Sequence, residues 1–261
     1  MKNLRFILVP SLSILLFASL LTGCQGIGKK KKDAEPLPNS GAVGDTPGQR
    51  PPLPTSIGTR DSYSSVSTNL PFLALTFDDG PHPTNTPRLL DILKARDVKA
   101  TFYVVGTNAK RYPEILRRII SEGHEIGNHT ITHGDLKKMS EAQVRKELTE
   151  SHQAILSATG VAPRTMRPPY GSITQAQKTW IRREFNYPSI LWSVDPEDWK
   201  RPGSSVVASR LVSGAKPGGI LLVHDIHAPT IDAIPSAVDQ LKQKGFQFVT
   251  VTQLIAMENA N

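Results

Sequence analysis

Two aspartates, Asp78 and Asp79, directly follow the apolar run at residues 72–77. A strand end has no packing use for adjacent carboxylates, because charge removed from water costs free energy unless it is paired or binds a ligand. Farther along the chain, His129 and His133 are four positions apart and would share one face if their segment formed a helical turn. One aspartate with two such histidines makes a set of metal ligands.

The elements that would position these residues alternate between apolar, strand-like runs and amphipathic, helix-like stretches. We predict strands at residues 72–77, 100–105, 125–128, 165–168, 189–194, 219–223 and 246–251. We predict helices at residues 86–96, 112–121, 140–159, 174–184, 204–213 and 231–244. A capping-box pattern that begins at Ser140, with Gly160 and Gly245 at later stops, marks helix ends. Seven strands with helical crossovers predict an α/β fold whose parallel sheet is closed, or nearly closed, into a barrel.

Polar residues recur at the carboxyl ends of five of these strands. They are Asp78 and Asp79 after the first strand, His129 and His133 after the third, Arg167 and Tyr170 after the fourth, Asp195 and Asp198 after the fifth, and His224 and Asp225 after the sixth. In βα barrels the loops after the strands converge at this face, where active sites are assembled. The pattern therefore predicts a single site built from separate loops.

Five short motifs in this order resemble those of the polysaccharide deacetylases, the NodB-like carbohydrate esterase family 4. The motifs are Thr76-Phe77-Asp78-Asp79-Gly80, His129-Thr130-Ile131-Thr132-His133, Arg167-Pro168-Pro169-Tyr170, Asp195-Pro196-Glu197-Asp198-Trp199 and Leu222-Val223-His224. The match runs from about residue 72 to the carboxyl end, and all five motifs are intact. The resemblance implies a deformed (β/α)7 barrel and metal-dependent removal of acetyl groups from N-acetylated sugar polymers.

Hydrolysis of an acetamide at neutral pH needs a stronger nucleophile than free water, and a divalent metal supplies one by lowering the pKa of bound water from about 15.7 to about 7. By the resemblance the second aspartate is the ligand, so Asp79, His129 and His133 would give three protein ligands and leave a coordination position open. An aspartate with two imidazoles suits Zn²⁺. Co²⁺ or another first-row ion would also fit, because spacing does not set the identity of the ion.

The resemblance assigns the role of base to Asp78, which would take a proton from the attacking water. An amine is a poor leaving group unless it is protonated, so a general acid is also needed, and His224 is the candidate. Asp198 would orient His224 and favour its protonated form, and Arg167 would hold Asp78 as a carboxylate. The alternatives are that Asp78 merely caps the following turn and that Arg167 forms an ordinary surface ion pair.

Four residues are assigned to the substrate. By resemblance, the backbone N–H of Tyr170 would face the negative charge that develops on the carbonyl oxygen, with Pro169 as part of a stiff support for it. Trp199 fits a wall for the sugar and Leu222 a pocket for the acetyl methyl. Each of these last two residues would also suit a core position.

The amino-terminal residues are predicted to direct the chain out of the cytoplasm. A positively charged start precedes an apolar stretch at residues 6–20, and Leu21-Thr22-Gly23-Cys24 matches a bacterial lipoprotein signal. We therefore expect a signal peptide over residues 1–23, lipid on Cys24, and an extracytoplasmic protein anchored to a membrane in the cell envelope. An ordinary secretory peptide and a short membrane anchor are the alternatives.

The segment at residues 24–69 is rich in lysine, proline, glycine and serine, and it is interpreted as a flexible tether. Residues 70–261 would then form one catalytic domain. The formal charge is +8 for the whole chain and +4 for residues 70–261, since the first 69 residues hold eight lysines and arginines and four acids. Without a basic stripe interleaved with aromatics, nucleic acid is not expected as a partner, and no obligate protein partner is predicted.

The sequence leaves the polymer open. Peptidoglycan N-acetylglucosamine is the first choice, because a lipid-anchored envelope protein would meet it; chitooligosaccharide, poly-N-acetylglucosamine and acetylxylan are the alternatives. Two other classes also fit: a metal-dependent amidohydrolase for a small amide, and an envelope-binding lipoprotein that keeps the fold without turnover. An acetate-release assay with and without a chelator would separate the binding protein from an enzyme.

Overall fold

The computed structural model describes residues 57–258. Within them the chain forms seven strands, β1 (Ser62–Tyr63), β2 (Phe72–Asp78), β3 (Thr101–Val104), β4 (Glu125–Asn128), β5 (Ser189–Ile190), β6 (Gly219–His224) and β7 (Gln247–Phe248). The helices of the same part are α1 (Asn85–Ala95), α2 (Gly106–Arg111), α3 (Pro113–Ser121), α4 (Glu141–Thr159), α5 (Gln175–Phe185), α6 (Ser204–Gly214), α7 (Ala228–Gln243) and α8 (Val251–Ile255). The predicted signal peptide, Cys24 and the rest of the chain up to residue 56 lie outside the described residues.

The strands form a deformed parallel barrel around β2. The order of the main sheet is β4-β3-β2-β6, and β7 pairs with the start of β2. Met166 forms single bridges with Asn128 of β4 and Ser189 of β5. On the other side, Val194 bridges Leu221 of β6. These bridges close the ring through the segment after β5, so the predicted deformed (β/α)7 barrel is confirmed.

Alternation along the strands decides which side chains enter the barrel. In β2, Leu73, Leu75 and Phe77 pack in the main core with residues of the helices, whereas Ala74 belongs to a separate buried cluster. Successive side chains of a strand point to opposite faces. Asp78 therefore lies on the side of Ala74, which is the inside of the barrel at its carboxyl end.

Side-chain caps fix several helix ends. The side chain of Ser140 accepts a hydrogen bond from the backbone N–H of Gln143, and the side chain of Gln143 accepts one from the backbone N–H of Ser140. This reciprocal pair is a capping box, and it starts α4. The same helix stops at Gly160, whose φ of 71° is a left-handed conformation that glycine adopts without strain. The boundaries predicted for α4 are thereby confirmed.

Among the described residues, no helix combines the length and the apolar character needed to cross a membrane.

The folded domain begins before residue 70, where the sequence placed its start. Tyr63 and Val66 are almost fully buried, and β1 pairs in parallel with β5. The N–H of Val66 donates to the carbonyl of Gly218 at 2.9 Å, just before β6. The predicted boundary was wrong because two apolar residues among serines and threonines give no strand pattern, and only their distant partners make them part of the core.

Two predicted strands are shorter or irregular. Residues 165–168 form no regular strand and keep only the bridges of Met166. Pro168 has no N–H to donate, which prevents a longer ladder there. Residues 189–194 keep only β5 and the single bridge of Val194.

Two short helices were not predicted. Residues 246–251 form β7 but then turn into α8, because Thr250 accepts from the N–H of Gln253 and completes a capping box. Helix α2 follows β3 almost directly, and its sequence, Gly106–Arg111, has no apolar periodicity that would indicate a helix.

Candidate active site

The two aspartates at the end of β2 have different backbone conformations. Asp78 is the last residue of the strand and is 3% exposed. Asp79 has a φ of 74°, a left-handed conformation that residues other than glycine rarely adopt. Because neighbouring strand residues point to opposite faces, it is this turn that brings both carboxylates to the same end of the barrel.

The predicted metal ligands, Asp79, His129 and His133, are brought together, with their ligand atoms all within 4.8 Å of one another. Oδ1 of Asp79 lies 3.4 Å from Nε2 of His129 and 3.1 Å from Nε2 of His133. Two ligands at about 2.0–2.1 Å from one tetrahedral ion lie roughly 3.3–3.4 Å apart. Within the described residues, Oδ1 of Asp79 is also buried without a hydrogen-bond partner. The residues therefore fit one small divalent cation.

His129 is held in the tautomer that a metal ligand needs. Its Nδ1 lies 2.7 Å from the carbonyl oxygen of Arg167. A carbonyl oxygen can only accept a hydrogen bond, so Nδ1 carries the proton. In the neutral ring, Nε2 therefore keeps the lone pair that binds a metal. Burial alone would raise the pKa of Asp79. In the metal-free protein, contacts with the rings of His129 and His133 more than offset this effect and hold the pKa of Asp79 well below its usual range.

The segment from His129 to His133 is a loop and not the helical turn that the spacing suggested. Thr130 and His133 both have left-handed backbones, with φ of 63° and 61°. Oδ1 of Asn128 accepts from the N–H of Thr130 at 2.9 Å, and Oγ1 of Thr130 accepts from the N–H of His133 at 3.0 Å. These bonds fold the loop so that the two rings lie with their centroids 4.9 Å apart.

Arg167 is fully buried and is paired with Asp78. Its Nη1 donates to Oδ1 of Asp78 at 2.7 Å, and its other N–H groups donate to two backbone carbonyls at 3.1 Å. The ring of Tyr103 lies 4.2 Å from its Cζ. The alternative of a surface ion pair is therefore wrong. Oδ2 of Asp78 is left on the side of the ligand set, 3.7 Å from Nε2 of His129.

His224 is paired with Asp198. Nδ1 of the His224 ring lies 2.8 Å from Oδ1 of Asp198. The other carboxylate oxygen of Asp198, Oδ2, accepts from the backbone N–H of His224 and from the hydroxyl of Thr230. Burial alone would lower the pKa of His224, but Asp198 and the charges of Asp78 and Asp79 raise it to about 9. Burial opposes ionisation of Asp198 too, yet the same contacts hold its pKa below the usual range. In the metal-free protein these contacts favour the protonated ring of His224 at neutral pH.

These groups open into one cavity of about 440 Å³. Its wall contains Asp78, Asp79, His129, His133 and His224, together with Tyr170, Trp199 and Leu222 from the predicted substrate set. Tyr170 and Trp199 are exposed, whereas Leu222 is buried. Pro169 does not line the cavity; it is buried in the 3-10 turn Pro169–Gly171 that carries Tyr170.

A family model described as polysaccharide deacetylase matches residues 65–189 of the chain. A chitooligosaccharide deacetylase of Bradyrhizobium sp. is 39% identical over 210 residues, and the match covers 75% of this chain and 95% of that protein. This chain belongs to the polysaccharide deacetylase family. The five motifs on which the resemblance rested all lie within the matched part of the fold or line its cavity.

Two further polysaccharide deacetylases place the chain within the family. The peptidoglycan-N-acetylglucosamine deacetylase PgdA of Listeria monocytogenes is 40% identical over 182 residues. The match covers 70% of this chain but only 38% of that protein, so the chain spans about two fifths of the length of this relative. The crystal structure of the Bc1960 peptidoglycan N-acetylglucosamine deacetylase superposes with a TM-score of 0.71 at 37% identity, over 74% of this chain and 92% of that one.

Sequence reasoning missed two residues in or beside this site. Trp192 lies in the cavity wall, with its ring 5.8 Å from Cζ of Arg167, and no motif points to it. Asp225 was noted only as a polar residue at a strand end. It is fully buried and accepts from the hydroxyl of Thr86, while its Oδ1 has no partner in the part of the chain that the structure describes.

Asp225 explains the glycine of the first motif. A Cβ at Gly80 would lie 2.3 Å from the carboxylate of Asp225, so a side chain at this position would clash with it. Burial raises the pKa of Asp225, the hydrogen bond from Thr86 lowers it, and the charge of Asp79 raises it again, to about 7. The position directly after His224 was the signal that could have drawn attention to this carboxyl.

Proposed function

We propose that this protein hydrolyses N-acetyl groups of an N-acetylglucosamine polymer in the bacterial envelope. The reaction would use a divalent cation held by Asp79, His129 and His133. Zn²⁺ is the first choice for this cation, and Co²⁺ is the alternative. The observation that carries the proposal is one cavity lined by this ligand set, by the buried carboxylate of Asp78 and by the ring of His224, which is paired with Asp198. A cation site, a base and an acid together are what amide hydrolysis at neutral pH requires.

Asp78 is the proposed general base. Arg167 occupies its Oδ1, so Oδ2 is the atom on the side of the ligand set. This oxygen would accept a proton from the water that attacks the acetyl carbonyl carbon. Because Arg167 holds the carboxylate in one orientation, no conformational search precedes the proton transfer.

His224 is the proposed general acid. Asp198 occupies its Nδ1, so Nε2 would donate a proton to the amide nitrogen as the C–N bond breaks. A pKa of about 9 supports the protonated form at neutral pH. One water is consumed, and acetate and a free amine leave the site.

The remaining contacts concern the substrate. When bound, the cation would polarise the acetyl carbonyl and lower the pKa of the attacking water. The N–H of Tyr170 is proposed to face the developing charge, since the hydroxyl of this residue lies 3.2 Å from Nδ1 of His133 and its turn therefore borders the ligand set. Leu222 offers an apolar wall for the acetyl methyl, and the exposed ring of Trp199 a stacking surface for the sugar.

Peptidoglycan N-acetylglucosamine is the proposed polymer. The Listeria relative and the Bc1960 structure, both named for peptidoglycan, support it. The proposal also includes a signal peptide at residues 1–23, lipid on Cys24 and an extracytoplasmic location. Lipid on Cys24 would support peptidoglycan as the substrate, because it would hold the protein in the cell envelope. Chitooligosaccharide is the second candidate, because the Bradyrhizobium relative is named for it. Mass analysis of the mature amino terminus, with Cys24→Ala as the control, tests the lipid.

The substrate test compares two glycans. The protein is stripped of metal, reloaded with Zn²⁺ and incubated separately with muropeptides and with chitooligosaccharides, and product masses and free acetate are measured. Loss of one acetyl unit per modified sugar, matched by acetate, is expected from muropeptides. Loss from the oligomers alone would move the assignment to the second candidate, and no loss from either at any metal loading would reject the activity.

A further inference from the structure

We propose that Glu147 of α4 is the positioning residue of the metal-binding loop, defined as residues 129–133. This inference rests on the proposed function, because it takes Asp79, His129 and His133 as the ligands of a cation. Glu147 belongs to none of the five motifs and does not line the cavity. Its carboxylate nevertheless contacts the loop between the two histidines.

Three donors of the loop converge on this carboxylate. Oε2 of Glu147 accepts from the backbone N–H of Ile131 at 3.0 Å and from that of Thr132 at 2.9 Å. Oε1 accepts from the hydroxyl of Thr132 at 2.7 Å. Glu147 is only 9% exposed, so water competes little for these bonds. Hydrogen bonds to an ionised acceptor are stronger than those between neutral groups, and the carboxylate therefore holds the loop firmly.

Helix α2 holds the other edge of the same loop. The carbonyl oxygens of Thr130 and Ile131 accept from the N–H of Gly106 at 2.9 Å and of Thr107 at 3.1 Å. A Cβ at Gly106 would lie 2.6 Å from Ile131, so the glycine permits this approach. The loop is thus fixed through its carbonyls by α2 and through its N–H groups by Glu147.

The loop needs such support because its backbone is strained. Thr130, a β-branched residue, and His133 both have left-handed conformations, which persist only where surrounding contacts enforce them. Without Glu147, two N–H groups would lose their acceptor and the loop would relax. His129 is also held by the carbonyl of Arg167. The ring of His133 is held instead by the hydroxyl of the exposed Tyr170, so His133 is the ligand that we expect to move.

Glu125 provides a matched control at the opposite end of β4. It is a partly buried glutamate, and its Oε2 accepts from the N–H and the hydroxyl of Thr252, each at 3.0 Å. At about 3.3 Å per residue it lies roughly 13 Å along the strand from His129. Loss of either carboxylate should lower stability, but only loss of Glu147 should change the cation site.

The test uses the full chain and measures the binding of Zn²⁺ by competition with a chromophoric chelator, the absorption spectrum with Co²⁺, and the unfolding of the metal-free protein in urea. We expect Glu147→Ala to weaken Zn²⁺ binding about 10–100-fold and to alter the Co²⁺ spectrum. Glu147→Gln should recover most of the affinity, since its amide oxygen can still accept from both N–H groups. Glu125→Ala should lower stability and leave Zn²⁺ binding and the Co²⁺ spectrum unchanged.

Three results would overturn the inference. Zn²⁺ binding by Glu147→Ala within about twofold of wild type would show that the carboxylate does not set the ligands. An equal loss of Zn²⁺ affinity in Glu125→Ala would mean that the affinity merely follows the stability of the fold. Zn²⁺ binding by Glu147→Gln as weak as that by Glu147→Ala would mean that only the charge of the glutamate matters, and not its hydrogen bonds. Failure of the wild-type protein to bind Zn²⁺ would instead reject the proposed function.

A milder variant decides the matter if Glu147→Ala does not fold. Thr132→Val removes only the hydroxyl donor to Oε1 of Glu147. We expect it to weaken Zn²⁺ binding about threefold or more, in line with the loss of one charge-assisted hydrogen bond, and to shift the Co²⁺ spectrum in the same direction. Unchanged binding and an unchanged spectrum would overturn the inference.

Discussion

Asp78 and His224 are direct partners across the parallel strands β2 and β6. Both side chains lie in the wall of one cavity, and each is fixed by a buried partner, Arg167 at 2.7 Å and Asp198 at 2.8 Å. In each pair the partner occupies one atom of the catalytic candidate, and the other atom, Oδ2 of Asp78 or Nε2 of His224, is the one that the proposed proton transfer uses. The register of the sheet therefore places a proton acceptor and a proton donor at neighbouring positions.

Asp78→Asn is expected to keep Zn²⁺ and to lose acetate release. The amide has the shape of the carboxylate and can still accept from Arg167, but it cannot take a proton from water. General base catalysis typically contributes about 10²–10⁴-fold, so the rate should fall by that order. Zn²⁺ content and acetate release are measured on the same preparation. Activity close to wild type would exclude Asp78 as the base.

Arg167→Met is expected to destabilise the fold by about 3–5 kcal/mol, because it leaves the buried carboxylate of Asp78 without its partner. Adding Asp78→Asn should recover part of the loss, since the unpaired charge is then gone. Urea unfolding of the single and double variants measures both effects. Arg96→Met, which breaks the exposed pair with Asp239, is the control and should cost much less. Similar losses in the two single variants would contradict the role of the buried pair.

Asp198→Asn is expected to move the alkaline limit of activity to lower pH. An acid catalyst must be protonated, so the wild-type rate should fall as pH rises through the pKa of His224, about 9 in the metal-free protein. Without the carboxylate beside it, the pKa of His224 falls. Rates are compared across pH at equal Zn²⁺ loading, because a bound cation also changes this pKa. An alkaline limit that stays in place would refute the pairing of Asp198 with a catalytic His224.

The same pair predicts how stability depends on pH. The pKa of His224 is raised from 6.5 to about 9 on folding. The charged ring therefore contributes its full stabilisation below pH 6.5, and this contribution is lost as pH rises through about 9. Urea unfolding of the metal-free protein should show a decline over this window that Asp198→Asn lacks. Parallel declines in both proteins would assign the effect to other groups.

A truncated chain that starts at residue 70 is expected to be less stable than one that starts at residue 57. The shorter chain lacks the buried side chains of Ile57, Tyr63 and Val66 and leaves β5 without the pairing of β1. Burial of one large apolar side chain is worth about 1.5–3 kcal/mol. Thermal unfolding of the two proteins measures the difference. Equal melting temperatures would restore the boundary that the sequence suggested.

The ligand set and the acid and base candidates could be predicted because Asp78, Asp79, His129 and His224 lie at or directly after the ends of apolar strands. Strand alternation turns Asp78 and His224 inward, and the family motifs assign their partners. The conformation of the metal-binding loop could not be predicted in this way. A spacing of four between histidines fits a helix, whereas the contacts of Asn128, Glu147 and helix α2 hold a loop instead.

Other features escaped because they depend on partners distant in sequence. β1 is part of the sheet only through β5, more than a hundred residues away. Met166 and Val194 close the barrel through single bridges, which leave no periodic pattern in the sequence. The buried position of Asp225 depends on the lack of a side chain at Gly80, which the sequence shows only as part of a motif.

Acetate release measured against the number of Zn²⁺ equivalents added to metal-free protein tests the central claim most directly. If Asp79, His129 and His133 hold one cation that deacetylation requires, acetate release should be absent without metal, should rise up to one equivalent of Zn²⁺ and should then level off. The His133→Ala variant should need far more Zn²⁺ to reach its maximal acetate release. Full release from the metal-free protein, or an unchanged titration for His133→Ala, would contradict the account.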